Sequence, residues 1–441
     1  MNIVLLVVDT WRKKDFVKDN SIAPFLSEKS EEGLHLENYY ANSPWTVPAH
    51  ASLFSGKLSS EHGTTTENTY FSEENMLTSM LVSKGFSTSA FTENHLITEE
   101  TGFSEGFQQF VQTTEDLGGD TWKEIWQKDD EFSGRKEKYS YFFKKTIKKR
   151  DIDSAKSFFR HITDKFTSRE ADHNSGKTVR TLEEANKKLK SEKDEFVFAN
   201  IMPVHSPYTF DEEDRESYLS DYSEEEVLDA SQTKVLEDYL PEGFSDTKLD
   251  IRQKAYKASI RYADRKIRNF YREAPENTVF IVLGDHGELI GEYEKQGTKL
   301  IGHHLGTYKE LVEVPCIIFS KGRELDLEID ERGLYSHTEM IDIIHGLIQD
   351  SEVESREILN SEYFGRKGFV QQFGRKIPEG CEQIYNRKSF SLINSEIKYD
   401  LTTEGEYVWK SEVLTENEKM DLDKATELKS KAKVLYEWRV E

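Results

Sequence analysis

The stretch Asn42-Ser43-Pro44-Trp45-Thr46-Val47-Pro48-Ala49-His50-Ala51-Ser52-Leu53-Phe54-Ser55-Gly56 reads as a loop running into a short helix. Pro44 and Pro48 exclude a helix interior before residue 48, because proline lacks an N–H and fixes φ. Pro48 suits the first turn, where the N–H has no partner in any case. Ala49, Ala51, Leu53 and Phe54 continue the helix, and Gly56 ends it. Thr46 then stands just ahead of a helix N-terminus, where free N–H groups and a partial positive charge gather. A threonine in that place either caps the helix or, beside a metal, offers its hydroxyl as a nucleophile to a phosphate or sulfate ester. The stretch alone leaves both readings open; its neighbours decide.

Outward from it, apolar runs end repeatedly in polar residues. Ile3–Val8 reads as a buried parallel strand and delivers Asp9 and Thr10 at its carboxyl end, where open parallel sheets bind ligands. Phe196–Asn200 leads to His205-Ser206-Pro207-Tyr208. Thr278–Leu283 leads to Gly284-Asp285-His286-Gly287-Glu288, a carboxylate and an imidazole between glycines that let a backbone come close. A lone Asp9 could cap a helix, but an Asp-His pair on the same sheet edge suits a divalent cation. Gly302-His303-His304 adds two imidazoles, although by itself it reads equally as a surface turn. Val312–Phe319 reads as the last core strand and His337–Ile348 as a closing helix, with His337 and His345 as helix or cap residues.

Further strands are expected at Leu34–Tyr40 and Phe86–Phe91, and helices at 73–84, Thr181–Lys193 and Leu249–Tyr271. Strands alternating with helices predict an α/β domain with a mainly parallel central sheet over residues 1–349. Residues 113–170 are irregular and charged, as in an insertion or lid. From about 350 the spacing changes. Short strands at Gly368–Phe373, Ser389–Ile393 and Glu406–Trp409, with a helix at Glu416–Trp438, predict a small C-terminal antiparallel α+β subdomain over 350–441.

With 441 residues, 36% of them hydrophobic, the chain is long enough for a large core. Its 83 acidic against 59 basic residues give a formal charge of −24, which argues against nucleic acid or an anionic membrane surface as partner. Cys316 and Cys381 form no CxxC, so no thiolate metal cluster or disulfide framework is indicated. The apolar run at residues 3–8 is too short to span a membrane and lacks the marks of a signal peptide, so a cytoplasmic protein is expected.

In this order, Asp9, Thr46, His205, Asp285-His286 and His303-His304 make the chain resemble the sulfatase family of the alkaline phosphatase superfamily. The resemblance runs through Asp9-Thr10-Trp11-Arg12, the Ser43–Gly56 stretch, Glu61-His62-Gly63, Thr101–Phe107, His205-Ser206-Pro207-Tyr208, Gly284–Glu288, and Gly302-His303-His304 leading to Tyr308. It implies an alkaline-phosphatase-like fold and a metal-dependent ester hydrolase. Asp9, Thr46, Asp285 and His286 would hold one divalent ion, Mg²⁺, Mn²⁺ or Ca²⁺, with Zn²⁺ also open to the imidazole. Thr46, His205 and His304 would be catalytic, and Arg12, His50 and His303 would bind substrate, a small-molecule or glycan and polymer ester.

The chain departs from that family at the nucleophile. Sulfatases carry Cys or Ser there, oxidised to formylglycine within a C/S-x-P-x-R motif; here the stretch is Thr46-Val47-Pro48-Ala49-His50. Threonine cannot become formylglycine, and it is the nucleophile in related phosphodiesterases and phosphoglycerol or phosphoethanolamine transferases. Phosphate mono- or diesters are therefore the favoured substrates, with sulfate esters, transfer to an acceptor, or an inactive binding protein as alternatives. Pro203 stands where relatives often carry Asp, which favours one metal over two.

Overall fold

Every residue of the Asn2–Val8 strand is buried, and its side chains divide between two cores. Val4, Leu6 and Val8 enter one, and Ile3, Leu5 and Val7 the other, as the two-residue repeat of a strand requires. In this computed structural model, which describes residues 1–17, 21–113, 144–145, 148, 170–232, 245–295, 298–365, 387–395, 397–410 and 426–440, that strand is the middle one of a 7-stranded sheet. The order across the sheet is Leu34–His35, Cys316–Lys321, Thr278–Gly284, Asn2–Val8, Glu195–Ile201, Ser87–Thr92, Gln109–Gln112. The last five run parallel; Cys316–Lys321 is antiparallel to both its neighbours.

Helices cover both faces. One core takes Phe25 and Leu26 from the Pro24–Glu32 helix, Leu182, Ala185 and Leu189 from Glu170–Leu189, and Ile251 to Phe270 from the long Asp246–Glu273 helix. The other takes Val47 to Phe54 from the Thr46–Ser55 helix, Leu77 and Leu81 from Met76–Ser83, and Met340 to Leu347 from Met340–Gln349. A central parallel strand covered on both sides can read as a continuous apolar run, which is why Ile3–Val8 and Val279–Leu283 were recognisable. Among the described residues no helix is long and apolar enough to cross a membrane.

Several boundaries differ from the sequence reading. The helix of the Asn42–Gly56 stretch begins at Thr46, with Trp45 at its cap position and Pro48 third in the helix; the first turn's N–H groups have no helical partner, so proline is tolerated there too. Gly56 ends it at φ 68, a left-handed conformation that favours glycine. The expected Leu34–Tyr40 strand is two pieces. Leu36 N–H donates to Cys316 O (3.0 Å) but Glu37 N–H to Glu331 O (2.7 Å), so the chain changes partner there, and Asn38–Tyr40 pairs with Leu334–Ser336. A Leu289–Lys295/Thr298–Gly302 hairpin follows the Asp285 strand and was not anticipated.

The C-terminal sheet has four antiparallel strands, Leu359–Tyr363, Ser389–Ile393, Ile397–Thr402 and Gly405–Lys410. Leu428, Ala432 and Tyr436 of the Thr426–Val440 helix pack on it around Phe390 and Tyr399. The expected Gly368–Phe373 strand, Cys381, residues 416–425 of the expected last helix and nearly all of the 113–170 insertion lie outside the described residues.

The turn after the Thr46–Ser55 helix is locked by a buried histidine. His62, 2% exposed, accepts from Thr64 N–H at Nδ1 (3.0 Å) and places Nε2 3.3 Å from the Ser52 hydroxyl. A ring accepting at Nδ1 is neutral, with its proton on Nε2. Burial pushes its pKa from 6.5 to about 4. The unfolded chain therefore protonates His62 below 6.5 while the native chain resists, so this stabilisation is complete above 6.5 and lost as pH falls towards 4. In urea titrations, the stability difference between the native sequence and His62→Gln is expected to stay constant above pH 7 and to shrink by about 3 kcal/mol by pH 4. A difference independent of pH would contradict a neutral buried His62.

Candidate active site

Register brings the two carboxylates together. Val8 lies opposite Gly284, so the next residues, Asp9 and Asp285, leave adjacent strand ends at one level. Both are fully buried. One oxygen of each is occupied: Asp9 Oδ2 accepts from Asn94 Nδ2 (2.7 Å), and Asp285 Oδ1 accepts from the N–H groups of Thr10 (3.0 Å) and His286 (2.8 Å). To present its N–H, Thr10 takes φ 62, unusual for a residue with a β-branched side chain, and its hydroxyl donates to Val204 O (2.8 Å). The other oxygens, Asp9 Oδ1 and Asp285 Oδ2, are buried without a hydrogen bond.

His286 completes the cluster. Its Nδ1 lies 2.8 Å from Gly287 O, a carbonyl that only accepts, so the proton sits on Nδ1 and Nε2 presents a lone pair. Nε2 is 3.5 Å from Asp285 Oδ2 and 3.8 Å from Asp9 Oδ1, and the ligand atoms of the three residues all fall within 4.8 Å of one another. Gly284 and Gly287 are required by close approach: a Cβ there would lie 2.4 Å from Trp11 O and 1.9 Å from Glu310 O.

The electrostatics of this cluster call for a cation. Burial first, then the charge of Asp285, pushes the Asp9 carboxyl up to about 6; burial pushes Asp285 up to about 7. Two carboxylates with bare oxygens in a dry place are unstable unless they bind protons or a metal. Two carboxylate oxygens, an imidazole nitrogen and a nearby hydroxyl make a donor set that fits one divalent ion.

Thr46 supplies the hydroxyl. Its Oγ1 is 3.2 Å from His286 Nε2, and Trp45 holds the cap position with Thr46 the first residue inside the helix, so the capping role does not apply. The backbone around it is held from several sides. His50 Nδ1 donates to Thr46 O (2.9 Å), and its Nε2 is 3.4 Å from Asn200 Nδ2. Asn42 donates to Asn360 O (2.9 Å) and Ser336 Oγ (3.1 Å) and accepts from Thr338 N–H (3.1 Å). His337 Nε2 donates to Asp285 O (2.7 Å), so it supports the backbone of the cluster and adds no group to it.

Three further histidines gather at the same sheet edge. The His303 ring is 4.6 Å from His286 and 5.3 Å from His205, and the His304 ring is 4.8 Å from His303 and 5.0 Å from Trp45. Arg12 and His50, expected to bind substrate, are instead turned into the protein. Arg12 is 3% exposed, with its guanidinium on Asp15 (2.6 Å), Glu292 (2.6 Å) and Glu288 O (3.0 Å) and over the Tyr256 ring. His50 is fully buried, and burial pushes its pKa down to about 3, so it is a neutral strut under the nucleophile. Asn94, Asn200 and Asn42 went unassigned in the sequence. Asn94 carried a signal, since it stands in the loop just past the end of another parallel strand, Ser87–Thr92.

The sequence profile described as Sulfatase matches residues 1–349. No curated protein sequence matches the chain. Among solved structures the chain is similar to a 2-O GAG sulfatase, with a TM-score of 0.59 and 13% identity, over 99% of this chain and 91% of that one. It is similar also to the phosphonate monoester hydrolase of Silicibacter pomeroyi (TM-score 0.61, 12% identity, 99% and 95% covered). The phosphonate monoester hydrolase of Agrobacterium radiobacter is a further likeness (TM-score 0.60, 14% identity, 98% and 94% covered). At such identities these structures establish the shared fold. The profile match over most of the chain, on a sheet edge that brings Asp9, Thr46, Asp285 and His286 together, makes this protein a member of the sulfatase family of ester hydrolases.

Proposed function

We propose that the protein cleaves phosphate mono- or diesters with Thr46 as a covalent nucleophile. One observation carries this reading: the Thr46 hydroxyl stands 3.2 Å from His286 Nε2, beside two buried carboxylates that each keep an oxygen free of hydrogen bonds. Asp9, Asp285, His286 and Thr46 would hold one divalent ion, Mg²⁺, Mn²⁺, Ca²⁺ or Zn²⁺. When bound, such an ion lowers the pKa of a hydroxyl in its shell and offsets charge on the ester oxygens.

The residues then divide the work. Thr46 Oγ1, its proton released to solvent as its pKa falls, forms a bond to phosphorus while the bond to the leaving oxygen breaks. His205 or His304 gives a proton to that leaving oxygen, and one of them takes a proton from the water that next attacks phosphorus and frees Thr46. His303, set between His205 and His286, is placed to donate to a non-bridging oxygen. Arg12 and His50 are given no contact with substrate, because their polar groups are spent on protein partners.

The threonine favours phosphate over sulfate. A formylglycine hydrate expels sulfate through its second hydroxyl; Thr46 has one hydroxyl, and a threonyl-sulfate lacks that internal exit. A threonyl-phosphate is cleared by attack of water at phosphorus. The phosphonate monoester hydrolases among the similar folds make an ester of phosphorus a natural substrate for this architecture, and the GAG sulfatase keeps a glycan sulfate as the alternative.

Thr46→Ala is expected to lower kcat by on the order of 10³-fold or more while shifting stability by no more than about 1 kcal/mol. Near-normal turnover by the purified variant would remove Thr46 from the chemistry. Asp285→Asn is expected to weaken divalent-ion affinity by at least about tenfold in calorimetric titration, and exhaustive chelation to inactivate the enzyme reversibly. Full activity in preparations shown metal-free by elemental analysis would sink the metal assignment. For one aryl leaving group, kcat/KM should rank phosphate mono- or diester above sulfate; the reverse order would show a sulfatase working through threonine.

A further inference from the structure

The segment from Gly302 to Tyr308, which carries His303 and His304, is fastened from the C-terminal sheet. The Tyr363 hydroxyl donates to the His304 carbonyl at 2.7 Å, and Tyr363 is fully buried. Ser389, paired opposite Tyr363 on the next strand, places its hydroxyl 2.5 Å from Thr307 Oγ1, and Ser391 Oγ, which donates to the Asp400 carboxylate, lies 2.6 Å from the same atom. Arg387 donates to the Tyr308 hydroxyl and lies over its ring.

We propose that Tyr363 is a positioning residue for His304, so that a hydroxyl of the C-terminal sheet takes part in catalysis. The proposal rests on the role given to His304 above. A side chain is aimed by its own backbone, and the His304 peptide is pinned at its carbonyl by Tyr363 and three residues on by Ser389 and Ser391. Removing the phenol hydroxyl leaves that carbonyl without this donor, and the segment then shifts to find another. Small displacements of a reacting group cost rate out of proportion to stability. The neighbouring Glu362 acts in the same way on the nucleophile side: its N–H donates to Asn42 O (2.8 Å), and its carboxylate accepts from Ser60 N–H (2.7 Å) and the Ser60 hydroxyl (2.9 Å). One strand thus touches both segments that meet over the metal ligands.

The experiment is a double-mutant cycle on full-length, metal-loaded enzyme with an aryl phosphate, comparing the native sequence, Tyr363→Phe, His304→Ala and the pair. Thermal unfolding is followed in parallel, so that every assay is made well below the variant's own transition. Tyr363→Phe is expected to lower kcat by about tenfold with KM within about twofold, and to add nothing to His304→Ala, since both act through one group. Native kcat in Tyr363→Phe, or a loss that multiplies in full onto that of His304→Ala, would overturn the proposal. Full turnover by His304→Ala would instead overturn the reading of His304, and the positioning claim with it. Ser391→Ala loosens the same segment at Thr307 and serves as the second variant should Tyr363→Phe not fold; the same non-additivity is expected of it, and full additivity would count against the proposal.

Discussion

Two carboxylates, Asp9 and Asp285, are held side by side and fully buried, and the rest of the molecule is arranged around that repulsion. Parallel pairing in the Val8–Gly284 register creates the pair, and the backbone N–H groups of Thr10 and His286 and the Asn94 amide satisfy only half of its oxygens. A like-charged pair of this kind is costly by itself and becomes favourable when a cation is added. The same features that make the pair unstable alone would make it bind a metal firmly. They also set the tautomer of His286, whose Nδ1 is committed to Gly287 O so that Nε2 faces the cluster.

Thr46 reaches this pair through packing, and the strand ends do not supply it. Phe54 sits among Phe103, Phe107 and Phe198, and His50 stacks edge-on against Phe54 and Phe198, so the Thr46–Ser55 helix is clamped to the sheet by a dry aromatic layer. A fully buried neutral histidine then ties the helix's first carbonyl to Asn200 at the end of the neighbouring strand. On the other side, Asn42 and Ser60 are held by residues of the Leu359–Tyr363 strand. The hydroxyl of Thr46 is therefore fixed from both the parallel sheet and the antiparallel one, which is what preorganised chemistry needs.

Much of this was legible in the amino-acid order. Ile3–Val8 and Val279–Leu283 are unbroken apolar runs, and each leads within two residues to a carboxylate, so the sheet edge and its pair of carboxylates could be read together. The Pro48–Gly56 signals placed the Thr46–Ser55 helix to within two residues. What was not legible depends on partners distant in the chain. Arg12 follows Asp9 so closely that it reads as part of the site, but Glu292, some 280 positions on, takes its guanidinium. His50 sits where the family has an arginine, and only its burial against Phe198 shows it to be a strut. Tyr363 and Glu362 lie in a strand with no motif of its own, and their meaning appears only once that strand is seen against His304 and Asn42.

The most direct test of the account is to catch Thr46 in the act. Metal-loaded enzyme turning over an aryl phosphate would be quenched in acid within its first turnovers, digested, and the peptide containing Thr46 weighed and fragmented by mass spectrometry. The account predicts one phosphoryl group on Thr46, absent from enzyme quenched without substrate and absent from Thr46→Ala. A native enzyme that turns over the ester at full rate, shows a pre-steady-state burst of the aryl alcohol, and carries the phosphoryl group on another residue would contradict it.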